Sequence, residues 1–577
     1  MMTVAPELAL VPLVPLVPLV PLVVAVTGHR DVPADDWAVL SASVSQQLRS
    51  LSAQHPNSPC LLLSGLAEGA DRLVARCALE AGWALGVVLP LPQSDYETDF
   101  SDGRSVADFR ELIARAAWCR DISAAGAARP ACYDALGDWL ARHSQVLIAL
   151  WDGGAGKGVG GTADVVKRFR EGVVQDRLIA PDAGPVIHVL TRRMGSADLP
   201  GGKAPGSVEH LAAQPDGVAA AGEQARWTAA LQRIEQFNRD ARLAKAAGLL
   251  AGIEGSCSLP ACPVASGQSV PSPARALFLV ADVMAMQAQR ERSRMSRALL
   301  ALGAAAIVLA QTYSCLFMLP VLLFGAIGLS CIGVAWYRVS QSRCVEQRYL
   351  DYRALAEACK IQHFWDVAGV RECVSDHYLR EQHDELEWIR QAIRTTVLTS
   401  PAAADGPMPQ RLQWVREAWI EDQRRYFLGD GGQRMGKAAL NRQLDKIWSR
   451  RTANLVMAGA VLMVLTAGFH GFFADLTISS HDWALRSMIF GFSLIFGAAG
   501  LCKVHQQTSA FAEHAKKYER MGQGLQFART RLDAALAAGH CEQAAALIQA
   551  FGIEALAENG DWLLLHRDRP VSAQGFG

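Results

Sequence analysis

The chain has 577 residues, 51% of them hydrophobic and 19% charged, with 56 Lys and Arg against 56 Asp and Glu. That neutral balance lacks the basic surplus that nucleic-acid binding demands, so no nucleic-acid partner is expected; the length points to several domains. Thirteen cysteines are scattered without one C-x-x-C pair. Cys257 and Cys262, in a Gly/Ser/Pro stretch, read as unpaired thiols rather than metal ligands, and a reducing cytosolic setting fits them.

Residues 1–21 read as a low-complexity arm. The tract VPLVPLVPLVPLV, Val11 to Val23, is apolar enough to pass for a signal peptide, but proline at every third position forbids a helix and no basic residue precedes it. Residues 22–195 then alternate between strand and helix patterns. VVAVT (23–27), CLLLS (60–64), ALGVVLP (84–90), QVLIALW (145–151) and PVIHVL (185–190) are near-continuous apolar runs, as strands buried on both faces of a parallel sheet require. Helix-like segments separate them, one over 68–82 with Gly82 as its stop. The pattern predicts a Rossmann-like α/β domain with a parallel sheet.

Ligands of such sheets sit in the loops that follow the carboxyl ends of the strands. TGHRD offers Gly28, His29 and Arg30 to an anion, and SGLAEGAD offers Ser64, Gly65, Glu68, Gly69 and Asp71. The third loop, WDGGAGKGVGGTAD, offers Asp152, Gly153, Gly160, Gly161, Thr162 and Asp164. Unobstructed backbone N–H groups at a helix start attract phosphate, so a nucleotide-derived ligand is expected here, with no metal and no particular cofactor specified. The glycine loop is not a P-loop, because Gly158 and not Ser or Thr follows Lys157.

Residues 196–280 have linker composition around one helical stretch near 219–248. From Ala298 to Trp336, 39 residues pass without a charge. One span takes about 20 apolar residues, so this run predicts two spans, with Gln311–Ser314 as the turn. A second pair follows at 453–473 and 484–502, joined by ADLTISSHD. The predicted all-α membrane region thus has four transmembrane helices in two hairpins, each followed by long cytosolic helices. Its parts are a first hairpin and helix over 281–400, a connector over 401–452, and a second hairpin and helices over 453–577. Arg290, Arg292, Arg294, Arg297, Arg338, Arg343 and Arg348 flank the first hairpin, and Lys446, Arg450, Arg451, Lys503, Lys516 and Lys517 the second. The turns carry none but Arg486. By the positive-inside rule the soluble parts face the cytoplasm and the protein is a multi-pass protein of the inner membrane.

No span places an acid or base near its centre, which argues against a proton-relay transporter. Gly325, Gly328, Gly497 and Gly500 permit close helix packing. Four short spans do not enclose a polar pore, so a channel requires a homo-oligomer; the alternative is that the spans only anchor a cytosolic sensor. After the first hairpin, Val345, Tyr349, Tyr352, Ala356 and Cys359 step by 4, 3, 4 and 3, and after the second Phe511, Ala515, Tyr518, Gly522 and Leu525 take the same steps. This heptad-like seam, at a constant offset of 166, suggests an internal duplication whose helices pack side by side. His377 and His383, near Cys373, Asp376 and Glu381, have no ligand spacing and read as a solvated helix face.

VTGHR, SGLAEGADRLVA with the following GVVLP, and GGTAD resemble the SLOG superfamily of Rossmann-like domains, related to the LOG phosphoribohydrolases and DNA-processing protein A. YLDYRALAEACKIQHFW, AEHAKKYERM and ENGDWLLLHRDRP resemble the SLATT two-span effector domains. The resemblance implies a bacterial conflict system, with antiviral defence, in which a nucleotide or cyclic-nucleotide signal drives a pore-forming or membrane-disrupting effector. LOG hydrolases carry P-G-G-x-G-T-x-x-E; aligned on Gly160, Gly161 and Thr162, Val165 falls where the glutamate assists N-glycoside cleavage, and the proline is absent. The resemblance therefore favours sensing, with a membrane-anchored nucleotide hydrolase using Glu68 and Asp164 as the alternative.

Overall fold

The computed structural model describes residues 18–567 except 125, 155–159, 173–183, 196–198, 200–201, 213–217, 252–258, 263–271, 343–344, 379–382, 399–405, 432–433 and 474–478. Its N-terminal part is a seven-stranded sheet in the order β4-β3-β2-β1-β5-β6-β7. β1 (Leu22–Gly28), β2 (Cys60–Ser64), β3 (Ala84–Leu89), β5 (Val146–Trp151) and β6 (Val186–Leu190) match the five apolar runs to within a residue or two. All neighbours pair in parallel except β6 and β7, which are antiparallel.

The strand period of two splits β1 between two cores. Leu22, Val24 and Val26 face one side with α1 (Trp37–Gln54), α2 (Ala70–Glu80) and α4 (Gly103–Arg115). Val23 and Ala25 face the other, with α5 (Arg129–His143) and α6 (Thr162–Glu171). A short helix α3 (Gln93–Tyr96) follows β3. Two strands have no counterpart among the apolar runs: β4 (Trp118–Asp121), which alternates between half-buried and exposed, and β7 (Val208–Leu211). Because β7 lies in the stretch read as linker, the α/β unit extends beyond residue 195.

The rest is helical. α7 (Val218–Ala246) and the N-terminal half of α8 (Pro273–Cys315) pack in one core with α10 (Val345–Ala368), α11 (His383–Leu398) and α12 (Met408–Val415). A π turn over 416–421 leads to α13 (Asp422–Leu428). The spans are the second half of α8 with α9 (Pro320–Ser342), and α14 (Lys437–Phe473) with α15 (Ser479–Ser509). These four helices are long and apolar enough to cross a membrane. α16 (Phe511–Ala537) and α17 (Cys541–Arg567) close the chain.

Three expectations are corrected. Gln311–Ser314 lie within α8, which runs to Cys315; the turn is Leu316–Leu319, and Pro320, lacking an N–H, starts the next helix. The two seam helices do not chiefly face one another. α10 packs against α8 and α17, and α16 against α14, α17 and α13, so each returns onto the first helix of its own hairpin. Most described seam residues are buried: Tyr352, Ala356, Cys359, Ala515, Gly522 and Leu525 are, with Gly522 admitting Leu428 where a Cβ would collide, while Tyr349, Phe511 and Tyr518 are half-buried. Finally, Val374–Asp376 form a short turn with Val374 and Ser375 buried rather than a solvated helix face, held by Gln362 accepting the Val374 N–H (2.8 Å) and Arg390 donating to the Ser375 carbonyl (3.1 Å). His377 pairs with Glu372, while Glu381 lies outside the described residues.

The end of the proline tract is pinned between the two halves. Asn238 of α7, fully buried, accepts the Val20 N–H (2.9 Å) and donates to the Val20 carbonyl (2.8 Å) and Ser58 hydroxyl (2.8 Å). Asn238→Ala strands these groups in a dry site, at a cost of about 2–4 kcal/mol. A lower unfolding temperature with faster Val20 amide exchange is expected; an unchanged exchange rate would refute the role.

Candidate functional site

The sheet order reverses between β1 and β5, and a cleft of about 380 Å³ opens at the carboxyl ends of these two strands. This is the switch point at which open α/β sheets bind ligands, and the volume lies in the range of small-molecule sites. Thr27 to Asp31 form one wall, and Gly160 to Ala163 with Val165 form another. Tyr133, Leu136, Gly137 and Leu140 of α5 close a third side, with Ala67, Asp71 and Tyr96 below and Arg193 near the mouth.

The first two expected loops interlock. Ala70 donates its N–H to the His29 carbonyl (3.0 Å), and Gly69, at φ +78°, passes where a Cβ would stand 2.4 Å from the Arg30 carbonyl oxygen. A Cβ on Gly28 would stand 2.3 Å from that of Ala70. These glycines therefore serve loop-on-loop packing. Of the expected site residues, Gly28, His29, Arg30, Asp71, Gly160, Gly161 and Thr162 line the cleft; Ser64, Gly65, Glu68, Gly69, Asp152, Gly153 and Asp164 do not, and support its walls. Lys157 lies outside the described residues.

Both acids considered for catalysis are occupied. Glu68 accepts the Ser101 N–H (2.9 Å), the Ser101 hydroxyl (2.7 Å) and the Ser105 hydroxyl, fastening its loop to the start of α4. Burial alone would raise its pKa, but these bonds hold it below the usual range. Asp164 accepts the Gly160 N–H (3.0 Å) and pairs with Arg168 (2.7 Å), which also holds Asp134 and Asp138. Val165, not an acid, lines the cleft beside them.

His29 is not placed to receive an anion. It is buried, and its Nε2 accepts the Asp152 N–H (3.0 Å). Burial and then Arg193 lower its pKa, so the ring is neutral and its accepting nitrogen is preserved. Arg193 in turn donates to Asp152 (3.2 Å). The remaining anion-holding groups are Arg30, exposed and lying 5.2 Å over the Tyr133 ring, Arg193, and the first N–H groups of α6. Those of Gly161, Thr162 and Ala163 have no acceptor among the described residues. Two guanidinium groups beside a helix start can hold a phosphate.

The floor is different in kind. Among the described residues Asp71 receives two long bonds, from the Ser64 hydroxyl (3.5 Å) and Ala67 N–H (3.4 Å), both on Oδ2. Burial pushes its carboxyl up to about 7 against the pull of Arg30 and Arg72. Tyr96 beside it is fully buried. Tyr96, Tyr133 and Arg193 have no motif in the sequence; Tyr96 was reachable from the rule that strand-end loops bind, since α3 follows β3.

A carboxyl raised from its ordinary 3.8 to about 7 keeps its proton in the folded state over that window. The contribution of this carboxyl to folding stability is then greatest below pH 4, falls as pH rises toward 7, and is level above it. Asp71→Asn is expected to remove this slope, raising stability above pH 7 by at most about 4 kcal/mol and not at all near pH 4. Thermal unfolding against pH checks it, and a parallel slope in the variant would reject it. The chain matches no protein-family model and no curated protein.

Proposed function

We propose that the protein is a ligand-gated membrane effector whose α/β domain senses a phosphorylated, nucleotide-derived molecule. The observation that carries the reading is the unspent start of α6, facing a switch-point cleft beside Arg30 and Arg193, while Glu68 and Asp164 are committed elsewhere. The resemblance to SLOG sensors and SLATT effectors points the same way, toward bacterial conflict defence.

A route from cleft to spans exists in the packing. α5 lines the cleft with Tyr133, Leu136 and Gly137 and meets α11 at its other end, where Leu398 enters the lower core of the sheet. Arg120 donates to the Val397 carbonyl (3.3 Å). α11 packs on α8, and α8 is one helix of 43 residues, about 65 Å long, that continues from the buried core into the first span. Ligand binding that shifts α5 thereby shifts the hairpins, provided the ligand prefers one arrangement. A homo-oligomer in the inner membrane, with the soluble parts cytoplasmic, completes the reading.

A second reading rests on Asp71, the buried carboxyl on the cleft wall with its pKa near neutrality, which suits a general acid. In that case the protein hydrolyses a nucleotide.

The two readings separate in one experiment on the full chain in nanodiscs, following calorimetric binding of the ribonucleoside 5′-monophosphates and a cyclic-nucleotide panel together with their integrity. Binding with recovered nucleotide is expected; release of free base would establish the hydrolase. Thr162→Pro deletes one cradle N–H at a first helical position where proline is favoured, after Gly161 at φ −76°, ψ 165°, which proline tolerates. It is expected to weaken nucleotide binding about tenfold with α6 intact; Asp164→Ala should lower stability without abolishing binding. Undiminished binding by Thr162→Pro would remove the helix start from the site.

A further inference from the structure

The inner end of the cleft holds a hydroxyl that the chain leaves unused. The Tyr96 ring is explained by packing: it meets Phe100 at 5.0 Å and Phe109 at 5.7 Å, both edge-on. Its hydroxyl is not. It is buried without a hydrogen-bond partner among the described residues, whereas the nearby Tyr133 hydroxyl donates to Asp99. The groups that act on it electrostatically include Asp71, Arg30 and Tyr133, all on the cleft wall, so the hydroxyl lies at the cleft end of the ring.

An unpartnered buried hydroxyl costs stability that phenylalanine would not. Beside it, Asp71 takes both of its bonds on Oδ2, and no described donor reaches Oδ1. One hydroxyl and one carboxyl oxygen, neither with a hydrogen-bond partner among the described residues, thus stand together at the floor. A phosphate is better matched by the start of α6 with Arg193 and the exposed Arg30 than by the buried Asp71 carboxyl and Tyr96 hydroxyl.

We propose that the Tyr96 hydroxyl and Asp71 Oδ1 form a recognition pair for an uncharged hydrogen-bonding group, a sugar hydroxyl or base edge, at the inner end of a nucleoside phosphate. The phosphate then rests on the N–H groups of Gly161, Thr162 and Ala163. This inference rests on the sensor reading and adds to it the direction in which the ligand lies.

The test uses Tyr96→Phe in the full chain, with calorimetric titration of the four ribonucleoside 5′-monophosphates, ribose 5-phosphate and inorganic phosphate. The variant is expected to lose about tenfold in affinity for the best-bound monophosphate, to bind inorganic phosphate as the wild type does, and to unfold at the same or a higher temperature without ligand. An equal loss for ribose 5-phosphate assigns the pair to the sugar; a loss confined to the nucleotide assigns it to the base. Unchanged nucleotide affinity, or an equal loss for inorganic phosphate, overturns the inference while leaving the phosphate cradle standing. Failure of every nucleotide to bind the wild type overturns the sensor reading and this inference with it.

Discussion

The N–H of Ala70 against the carbonyl of His29 is the contact on which the cleft depends. It joins the start of α2 to the end of β1, and only glycine at 28 and 69 lets the two backbones come so close. From that contact, Arg30 falls on the rim and Asp71 on the floor of one cavity. The neighbouring strain has its own support: Leu66 sits at φ +51°, with the Ser64 hydroxyl accepting its N–H (2.9 Å) and Arg72 donating to its carbonyl (3.1 Å). The polar residues of the second loop, Ser64 and Glu68 among them, are spent on geometry. The cleft wall receives what they hold in place.

The helical half obeys a related constraint, continuity. α8 and α14 each begin among soluble helices and end as spans, and each is clasped by the helix that follows its hairpin. A long helix resists bending, so displacement of its packed end carries to its apolar end. α17 touches both α10 and α16, tying the helices that follow the two hairpins. On the proposed reading, this is why one cleft suffices to move four spans.

Much of this was legible in the sequence, for identifiable reasons. Central strands buried on both faces leave continuous apolar runs, and β1, β2, β3, β5 and β6 were all visible that way. β4 and β7 are short edge strands with one covered side, WCRD and VEHL, and their polar residues hide them. The first hairpin was visible as uncharged length, but length does not locate a turn; Pro320 does, and it lay beyond the expected QTYS. The glycine loops do border the cleft, but two of their glycines serve a task other than holding a ligand. Gly69 and Gly28 look like phosphate glycines because close approach to another backbone and to a ligand demand the same absent Cβ. His29 looked like an anion ligand until its tautomer was fixed by Asp152. The position of Tyr96 after β3 was reachable from the strand-end rule, but its unsatisfied hydroxyl was not, because that is a property of the fold and not of any motif.

Those unsatisfied groups give the cleft its energetic character. Elsewhere the charged residues around it are paired: Arg168 with three aspartates, Glu68 with two serines, Asp152 with Arg193. At the floor, a carboxyl resists ionisation and a hydroxyl has no hydrogen-bond partner among the described residues, so a burial cost sits in one small place. On the proposed reading, a molecule that hydrogen-bonds both the Tyr96 hydroxyl and Asp71 Oδ1 relieves that cost only where both groups face it. Such a ligand gates only by engaging the pair better in one arrangement of α5 than in another, which is the condition the proposal sets.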